Sequence, residues 1–415
     1  MKVAMIIKTD DGGRWTLSQL DELRDRGHEV VAVLPPGSEG QLRKALHDRG
    51  IDVVQSAFDF RFRPTPATLT GLLGLREQLR ALAPDVLHYH LYASALAVRI
   101  ASLGLPARRV HMVPGPLFLE SPLIRTVERV LCRRDEVVIS GSDHTAALYR
   151  GIGMPAARVA PIPYGTDCDY FSPPSPAYRA ACRDAFGVGD GTFTACMVAY
   201  VYPPKRLTHR GRGIKGHDIL LTAWRRFRRD VPDSRLILLG GGFNADGETY
   251  KRQLMTRFGV AGDPGVDWQD SVLDVRDCYA AADVSVSPSL SENHGAAREA
   301  GAMGVPSIVS DAGALPETVD PSSGWLVPRD DVDALVAALH EAHAEFLAGT
   351  LRHRGALSRE LIVTRFAEGP AAAAVADVLE LVALDRDAFD RHGLDRDGLK
   401  QDGLKRDAFG RDGRR

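Results

Sequence analysis

Strands and helices alternate along the sequence in two successive series, which predicts an α/β chain of two doubly wound, Rossmann-like domains. Three observations carry this. The chain opens as strand, glycine loop, helix, strand: Val3 to Ile7, then Gly12-Gly13, then a helix with Leu17, Leu20 and Leu23 on one face, then Glu29 to Leu34. A second series starts at Thr192 to Tyr200, a nearly continuous apolar run of the kind a strand buried on both faces shows. The length, 415 residues, exceeds what one core usually spans.

Bulk composition bounds the function. Hydrophobic residues make up 44% and charged residues 26%, ordinary for a soluble globular chain. A net charge of −2 gives no case for nucleic-acid binding. Cys132, Cys168, Cys182, Cys196 and Cys278 contain no Cys-x-x-Cys, so they read as neither a disulfide framework nor a zinc site and fit a reducing cytoplasm. The apolar start, Met1 to Ile7, is too short for a signal peptide, and no apolar run approaches the roughly 20 residues of a membrane helix. A cytoplasmic location is expected.

In the first half, Gly12-Gly13 lacks the full G-x-G-x-x-G of a dinucleotide site, and a plain tight turn is the alternative reading. Asp52 to Gln55 reads as a short strand and Pro66 to Leu82 as a helix. Asp85 to His90 is the next strand and its exit, with His88 and His90 on one face. A metal pair there would need a third ligand, and none is near in sequence; the other reading is a buried histidine hydrogen-bonded at a strand end. Arg109 to Val113 and Val137 to Ser140 continue the rhythm, Val159 to Asp167 follows, and prolines 173, 174 and 176 mark a linker.

In the second half, the strand at Thr192 to Tyr200 leads into a basic loop, Pro203 to Gly216, ending in Lys215-Gly216. A helix from His217 carries Ile219, Leu220, Trp224 and Phe227, and the strand Ser234 to Leu239 ends in Gly240-Gly241-Gly242. Val272 to Ala282 reads as a helix. Then comes Pro288-Ser289-Leu290-Ser291-Glu292-Asn293-His294-Gly295, running into Ala296 to Pro306 and flanked by the β-branched runs Asp283 to Ser287 and Ser307 to Ser310. This is strand, polar loop, helix, strand. Free N–H groups and the helix dipole at such a start favour an anion, and Gly295 lets backbone come close to a ligand. The strand at Gly324 to Pro328 and helices over Val332 to Ala344, Leu351 to Phe366 and Pro370 to Leu384 complete the pattern.

The 288–306 stretch resembles the signature of retaining family 4 glycosyltransferases, the bacterial group 1 enzymes with the GT-B fold: P-S-x-x-E-x-F-G, four residues, then E-A-x-A-x-G-x-P. Asp85 to His90 resembles that family's D-V-x-H-x-H, and Ile162 to Asp167 with Phe171 to Pro173 its I-P-N-G-V-D…F-x-P, with Tyr164 in place of Asn. Lys215-Gly216 is similar to its K-G, while Tyr200 stands in its Arg slot and an insertion follows. Gly240 to Gly242 and Gly324 to Pro328 resemble its L-x-G-x-G and G-x-L-V-P. The signature itself is shortened: one residue is missing between Gly295 and Glu299, and His294 replaces the usual aromatic.

The resemblance implies two Rossmann-like domains facing a central cleft, with a C-terminal helix crossing back: residues 1–172, a linker at 173–186, residues 187–368, and a crossover helix at 369–384. It implies transfer of a sugar from a UDP- or GDP-type nucleotide sugar to an acceptor hydroxyl, on a sugar, lipid-linked sugar or small metabolite, with retention of anomeric configuration. Glu292 would hold sugar hydroxyls, Asn293, His294 and Gly295 the donor, and Glu299 its ribose. Lys215 would clamp the diphosphate together with Arg206 or Arg212 from the insertion. His90 would touch the sugar near its reactive carbon, and Gly12 and Gly13 would face the phosphates and the acceptor. No metal and no cofactor are expected, since the nucleotide sugar is a substrate. His294 is expected to line the site and donate a hydrogen bond. With no glycosidase-like carboxylate pair, front-face attack assisted by the departing phosphate is favoured. A GT-B epimerase or phosphorylase, or a non-catalytic nucleotide-sugar-binding subunit, stands as the alternative.

Two amphipathic stretches, Phe60 to Arg80 and Phe118 to Arg134, combine arginines with Leu, Ile and Phe. They read as ordinary domain helices or as a peripheral contact with the inner membrane face. From Asp385 to Arg415 the pattern dissolves into Asp-Gly-Leu-Lys repeats, read as a disordered tail.

Overall fold

The structure is a computed structural model that describes residues 1–10, 12–204 and 211–384, so the tail at 385–415 lies outside the described residues. The described chain forms two compact units, Met1–Gly165 joined by the helix Glu368–Leu384, and Thr166–Ala367.

The first unit is built on a seven-stranded parallel sheet of order β3-β2-β1-β4-β5-β6-β7. Its strands are β1 (Lys2–Ile7), β2 (Glu29–Leu34), β3 (Asp52–Gln55), β4 (Val86–His90), β5 (Arg108–Val113), β6 (Val137–Ser140) and β7 (Val159–Pro161). β4 is buried along its whole length and β1 nearly so, because helices cover both faces of a parallel sheet. Strand order reverses between β1 and β4, where Ile7 pairs with His90. That reversal is where doubly wound sheets open a crevice at their carboxyl edge, and it puts the Gly12-Gly13 loop and His90 at one place.

The second unit repeats the plan with a six-stranded sheet of order β10-β9-β8-β11-β12-β13. Here the strands are β8 (Thr194–Val198), β9 (Arg235–Leu239), β10 (Val266–Gln269), β11 (Val284–Ser287), β12 (Ser307–Ser310) and β13 (Gly324–Val327). Its order reverses between β8 and β11. The loop carrying Lys215 leaves β8, and the loop carrying Glu292 leaves β11, so the topology alone brings these two together.

The stretch at 173–186, expected as a linker, instead contains the helix Pro176–Ala185 within the second unit. Pro176 sits at its first turn, where a missing N–H costs nothing, and Ser175 Oγ accepts from Tyr178 N at 3.2 Å. Arg183 is buried against Asp283 and the carbonyls of Ala281, Gly189 and Thr192. The helix expected from Val272 begins only at Arg276. The C-terminal helix Glu368–Leu384 returns to the first unit, where Val375, Val378, Leu379 and Val382 join the core formed by β1 and the helix Trp15–Asp25.

Candidate functional site

In the second unit the Lys215 loop lies directly on the signature loop. Leu290 N donates to Ile214 O at 2.7 Å. Gly216 has φ of +74°, and a Cβ there would stand 2.1 Å from Pro288 O, so only glycine permits this approach. Ser310 Oγ donates to Ser289 O at 2.6 Å and Ala314 N to Glu292 O at 3.2 Å, which fixes the far side of the loop. The result is a Lys215 Nζ–Glu292 Oε2 ion pair, with the two side chains only 18% and 16% exposed. Asn293 N donates to Glu292 Oε1 at 3.1 Å. Gly295 has φ of +49° and turns the chain into the short helix Ala296–Ala302.

Glu299 stands on that helix and accepts from Tyr279 Oη at 3.0 Å. Burial pushes its carboxyl above the ordinary range, with the Tyr279 hydrogen bond and Arg298 working against the rise. One oxygen is thus oriented by Tyr279, and the group keeps further capacity to accept from hydroxyls.

His294 departs from expectation. It is fully buried, stacked edge-on against Phe366 at 4.7 Å, with Nε2 3.1 Å from Glu317 Oε2. Burial lowers it to about 4, so at neutral pH the ring is uncharged. A carboxylate only accepts, so Nε2 carries the proton and Nδ1, which has no partner among the described residues, can accept but not donate. The expected hydrogen-bond donor to a sugar or phosphate is therefore turned into the protein.

Of the two inserted cations proposed for the phosphates, Arg206 lies outside the described residues. Arg212 is taken by Asp218 at 2.8 Å and by Asp330. Tyr200, in the Arg slot of the resembling family, is half exposed and packs edge-on to Phe243, which stacks on Tyr202; Lys215 Nζ stands 5.8 Å over the Tyr202 ring.

Two features were not singled out from sequence. Arg298, on the helix Ala296–Ala302, has Nε and Nη1 buried without a hydrogen bond to any described residue, and Asn293 Oδ1 is in the same condition. The sequence signal for Arg298 is one arginine beside Glu299 in a run of otherwise small residues. In the first unit, Leu91 follows His90 with φ of 72° and ψ of 156°, a conformation close to glycine-only. Such strain, of order 1–3 kcal/mol, collects at functional sites.

His90 itself is fully buried, and neither ring nitrogen has a partner among the described residues. It packs against His88 at 4.5 Å and Tyr164 at 6.0 Å, and Tyr164 meets Trp15 edge-on at 5.2 Å. His88 is held by Gln19 at 3.2 Å. Burial, then His88 and His111, push His90 well below its ordinary value, leaving a neutral ring with one donor and one acceptor uncommitted. Gly12 and Gly13 have φ of 88° and 72°, and Gly13 O caps Thr16 at the start of the helix Trp15–Asp25. No group of three or more His, Cys, Asp or Glu among the described residues is arranged to hold a metal. A cavity of about 850 Å³ opens at the opposite, amino-terminal edge of the second sheet, beside Asp283 and Pro306, and includes none of Lys215, Glu292 or Glu299.

Residues 12–165 match the glycosyl transferase 4-like domain, and residues 204–345 match the glycosyl transferases group 1 domain. The chain belongs to the group 1 glycosyltransferases. It is 31% identical over 233 residues to a GDP-mannose-dependent alpha-(1-6)-phosphatidylinositol monomannoside mannosyltransferase of Mycolicibacterium smegmatis, covering 54% of this chain and 57% of that one. It is 28% identical over 322 residues to a D-inositol 3-phosphate glycosyltransferase of Xylanimonas cellulosilytica, covering 71% of each. The matched stretch thus spans under two thirds of the mycobacterial relatives' length, at 57% and 65%. Among solved structures, a glycosyltransferase from Rickettsia africae superposes with a TM-score of 0.76 at 16% identity, covering 92% of this chain and 99% of that one. Anabaena HepE in complex with UDP-glucose gives 0.75 at 20%, covering 92% and 100%. These neighbours show the fold: the chain has the two parallel-sheet units and the C-terminal helix of GT-B. Among its described residues no helix is long and apolar enough to cross a membrane.

Proposed function

We propose that this glycosyltransferase moves a sugar from a nucleoside-diphosphate sugar to an acceptor hydroxyl with retention. The observation that carries the reading is the Lys215–Glu292 pair at the carboxyl edge of β8 and β11, whose acid lies on the same signature stretch as Glu299. Lys215 supplies charge for the departing diphosphate, Glu292 accepts from sugar hydroxyls, and Glu299 accepts from the ribose. The anomeric C–O bond to phosphate breaks and a C–O bond to the acceptor forms on the same face. The acceptor proton passes to the departing phosphate. Both relatives' names carry an inositol unit, which makes inositol-bearing molecules the first acceptors to assay, with GDP- and UDP-sugars as donors.

Lys215→Ala tests it. Affinity for GDP or UDP should fall by the worth of a charge-assisted contact, about 1.5–3 kcal/mol, together with turnover. Unchanged diphosphate affinity by calorimetry would remove Lys215 from the donor site. Donor incubated alone separates transfer from epimerisation.

A second reading concerns the bilayer. The helix Pro122–Leu131 buries only Glu128, while Leu123 and Val130 are 75% and 64% exposed beside the exposed Arg125 and Arg129. An apolar stripe flanked by arginines suits an anionic lipid surface. Sedimentation with vesicles of phosphatidylcholine, with and without phosphatidylglycerol, should show salt-sensitive binding to the anionic vesicles that a Leu123→Asp, Val130→Asp double variant loses. Equal sedimentation of both proteins would exclude this face.

A further inference from the structure

Among its described residues, the donor site as read above has one free cation fewer than the resembling family brings. Tyr200 holds the slot of the usual arginine, and Arg212 is engaged by Asp218 and Asp330. Lys215 is a point charge, without the planar fork that fits two phosphate oxygens at once.

We propose that Arg298 supplies this second cation and contacts the diphosphate of the donor. Three observations on the signature stretch support it. Its Nε and Nη1 are buried and donate to nothing among the described residues, although each unmade donor of a buried group is costly. It is next to Glu299 in sequence, and the carboxylates whose charge acts on it are Glu299 and Glu292, the two acids assigned to ribose and sugar. Asn293 Oδ1 and His294 Nδ1, on the loop that precedes it, are likewise buried and unpartnered, so polar groups without internal partners gather around this segment. Burial pulls the guanidinium below its ordinary value, with Glu299 and Glu292 opposing, which marks a cation only partly compensated by the protein.

The charge arrangement then has a direct consequence for binding. In the structure Glu292 holds Lys215. A diphosphate bridging Lys215 and Arg298 takes the lysine from Glu292, and the freed carboxylate accepts from sugar hydroxyls. Phosphate binding thereby readies the sugar-binding acid.

The proposal rests on the donor-site reading above, and the experiment separates the two. GDP and UDP are titrated by calorimetry, and guanosine and uridine by ligand-observed NMR, into wild type, Arg298→Met, Arg298→Lys and Lys215→Ala. Arg298→Met should lose about tenfold to a hundredfold in diphosphate affinity while nucleoside affinity holds, and Arg298→Lys should recover only part. Wild-type diphosphate affinity in Arg298→Met beside a weakened Lys215→Ala overturns the proposal and leaves the site intact. Wild-type affinity in both variants overturns the site itself. Should Arg298→Met fail to fold, Arg298→Lys decides, since it keeps the charge and removes the fork: a loss confined to the diphosphates supports the contact, and no loss overturns it.

Discussion

Glu299 is a carboxyl that burial holds above its ordinary value, so folding favours its protonated form. The sign follows: the penalty for ionising it is absent below the ordinary carboxylate value, grows as pH rises past it, and is complete above the raised one. Glu299→Gln removes that penalty. Its melting temperature near pH 7 should hold or rise, while affinity for GDP or UDP falls because an amide is a poorer acceptor for a ribose diol. In the wild type, nucleotide affinity should also weaken as pH drops through the raised value, a dependence the variant lacks. Thermal melts with and without nucleotide read both, and a lower melting temperature with normal nucleotide binding would return Glu299 to a structural role. Glu292 and Glu299 could be proposed from sequence because spacing and flanking small residues are local information. Sequence misjudged His294 because the direction of an imidazole depends on Glu317 and Phe366, which are remote along the chain. Arg298 escaped for the same reason: an unfilled guanidinium is visible only once its neighbours are placed.

The same contrast separates one element from another. Pro66–Leu82 and His217–Asp230 follow their apolar periodicity, but Pro122–Leu131 is turned the other way, with its acid inside and its aliphatic stripe outside. The cause is Arg99 on the helix Tyr92–Ala101, whose fully buried guanidinium is shared by Glu128 and Asp135 and capped by His111. Tyr89 and Tyr149 add hydroxyl donors to Asp135 and Glu128. A charge so enclosed requires its partners, and removing one leaves the rest uncompensated. Glu128→Ala should therefore cost about 3–5 kcal/mol in urea unfolding, and pairing it with Arg99→Leu should recover part of that loss. Strict additivity of the two would break the argument. Periodicity cannot see such a network, just as prolines 173, 174 and 176 suggested a linker where Ser175 and Pro176 start a helix. There the cap, not the proline count, was the informative signal.

At the scale of the whole molecule, alternation of strands and helices was enough to predict two doubly wound units, because each parallel strand requires a crossover helix. Where the chain leaves and rejoins the first unit was not written in periodicity. It leaves at Gly165 and returns at Glu368, and the two meet: Gly165 has φ of 72°, and a Cβ there would lie 2.4 Å from Glu368 Cα. Beyond that point the helix Glu368–Leu384 inserts Val375, Leu379 and Val382 into the core beside Leu20 and Leu23. Arg26 joins it from outside, reaching Asp377 at 2.6 Å and Glu380 at 3.1 Å. The first unit is thus completed by the last described segment of the chain. Leu379→Ala should cost about 2–5 kcal/mol, as a fully buried leucine does when its site cannot collapse. Gly165→Ala should also destabilise, by more than the ~1 kcal/mol that a left-handed alanine alone costs, since the methyl meets backbone rather than a movable side chain. Urea unfolding of the two single variants and the double variant measures this. If Gly165→Ala costs no more than its conformational penalty, the close approach to Glu368 is not what holds the returning helix. If Leu379→Ala is nearly neutral, that helix is not part of the core it enters.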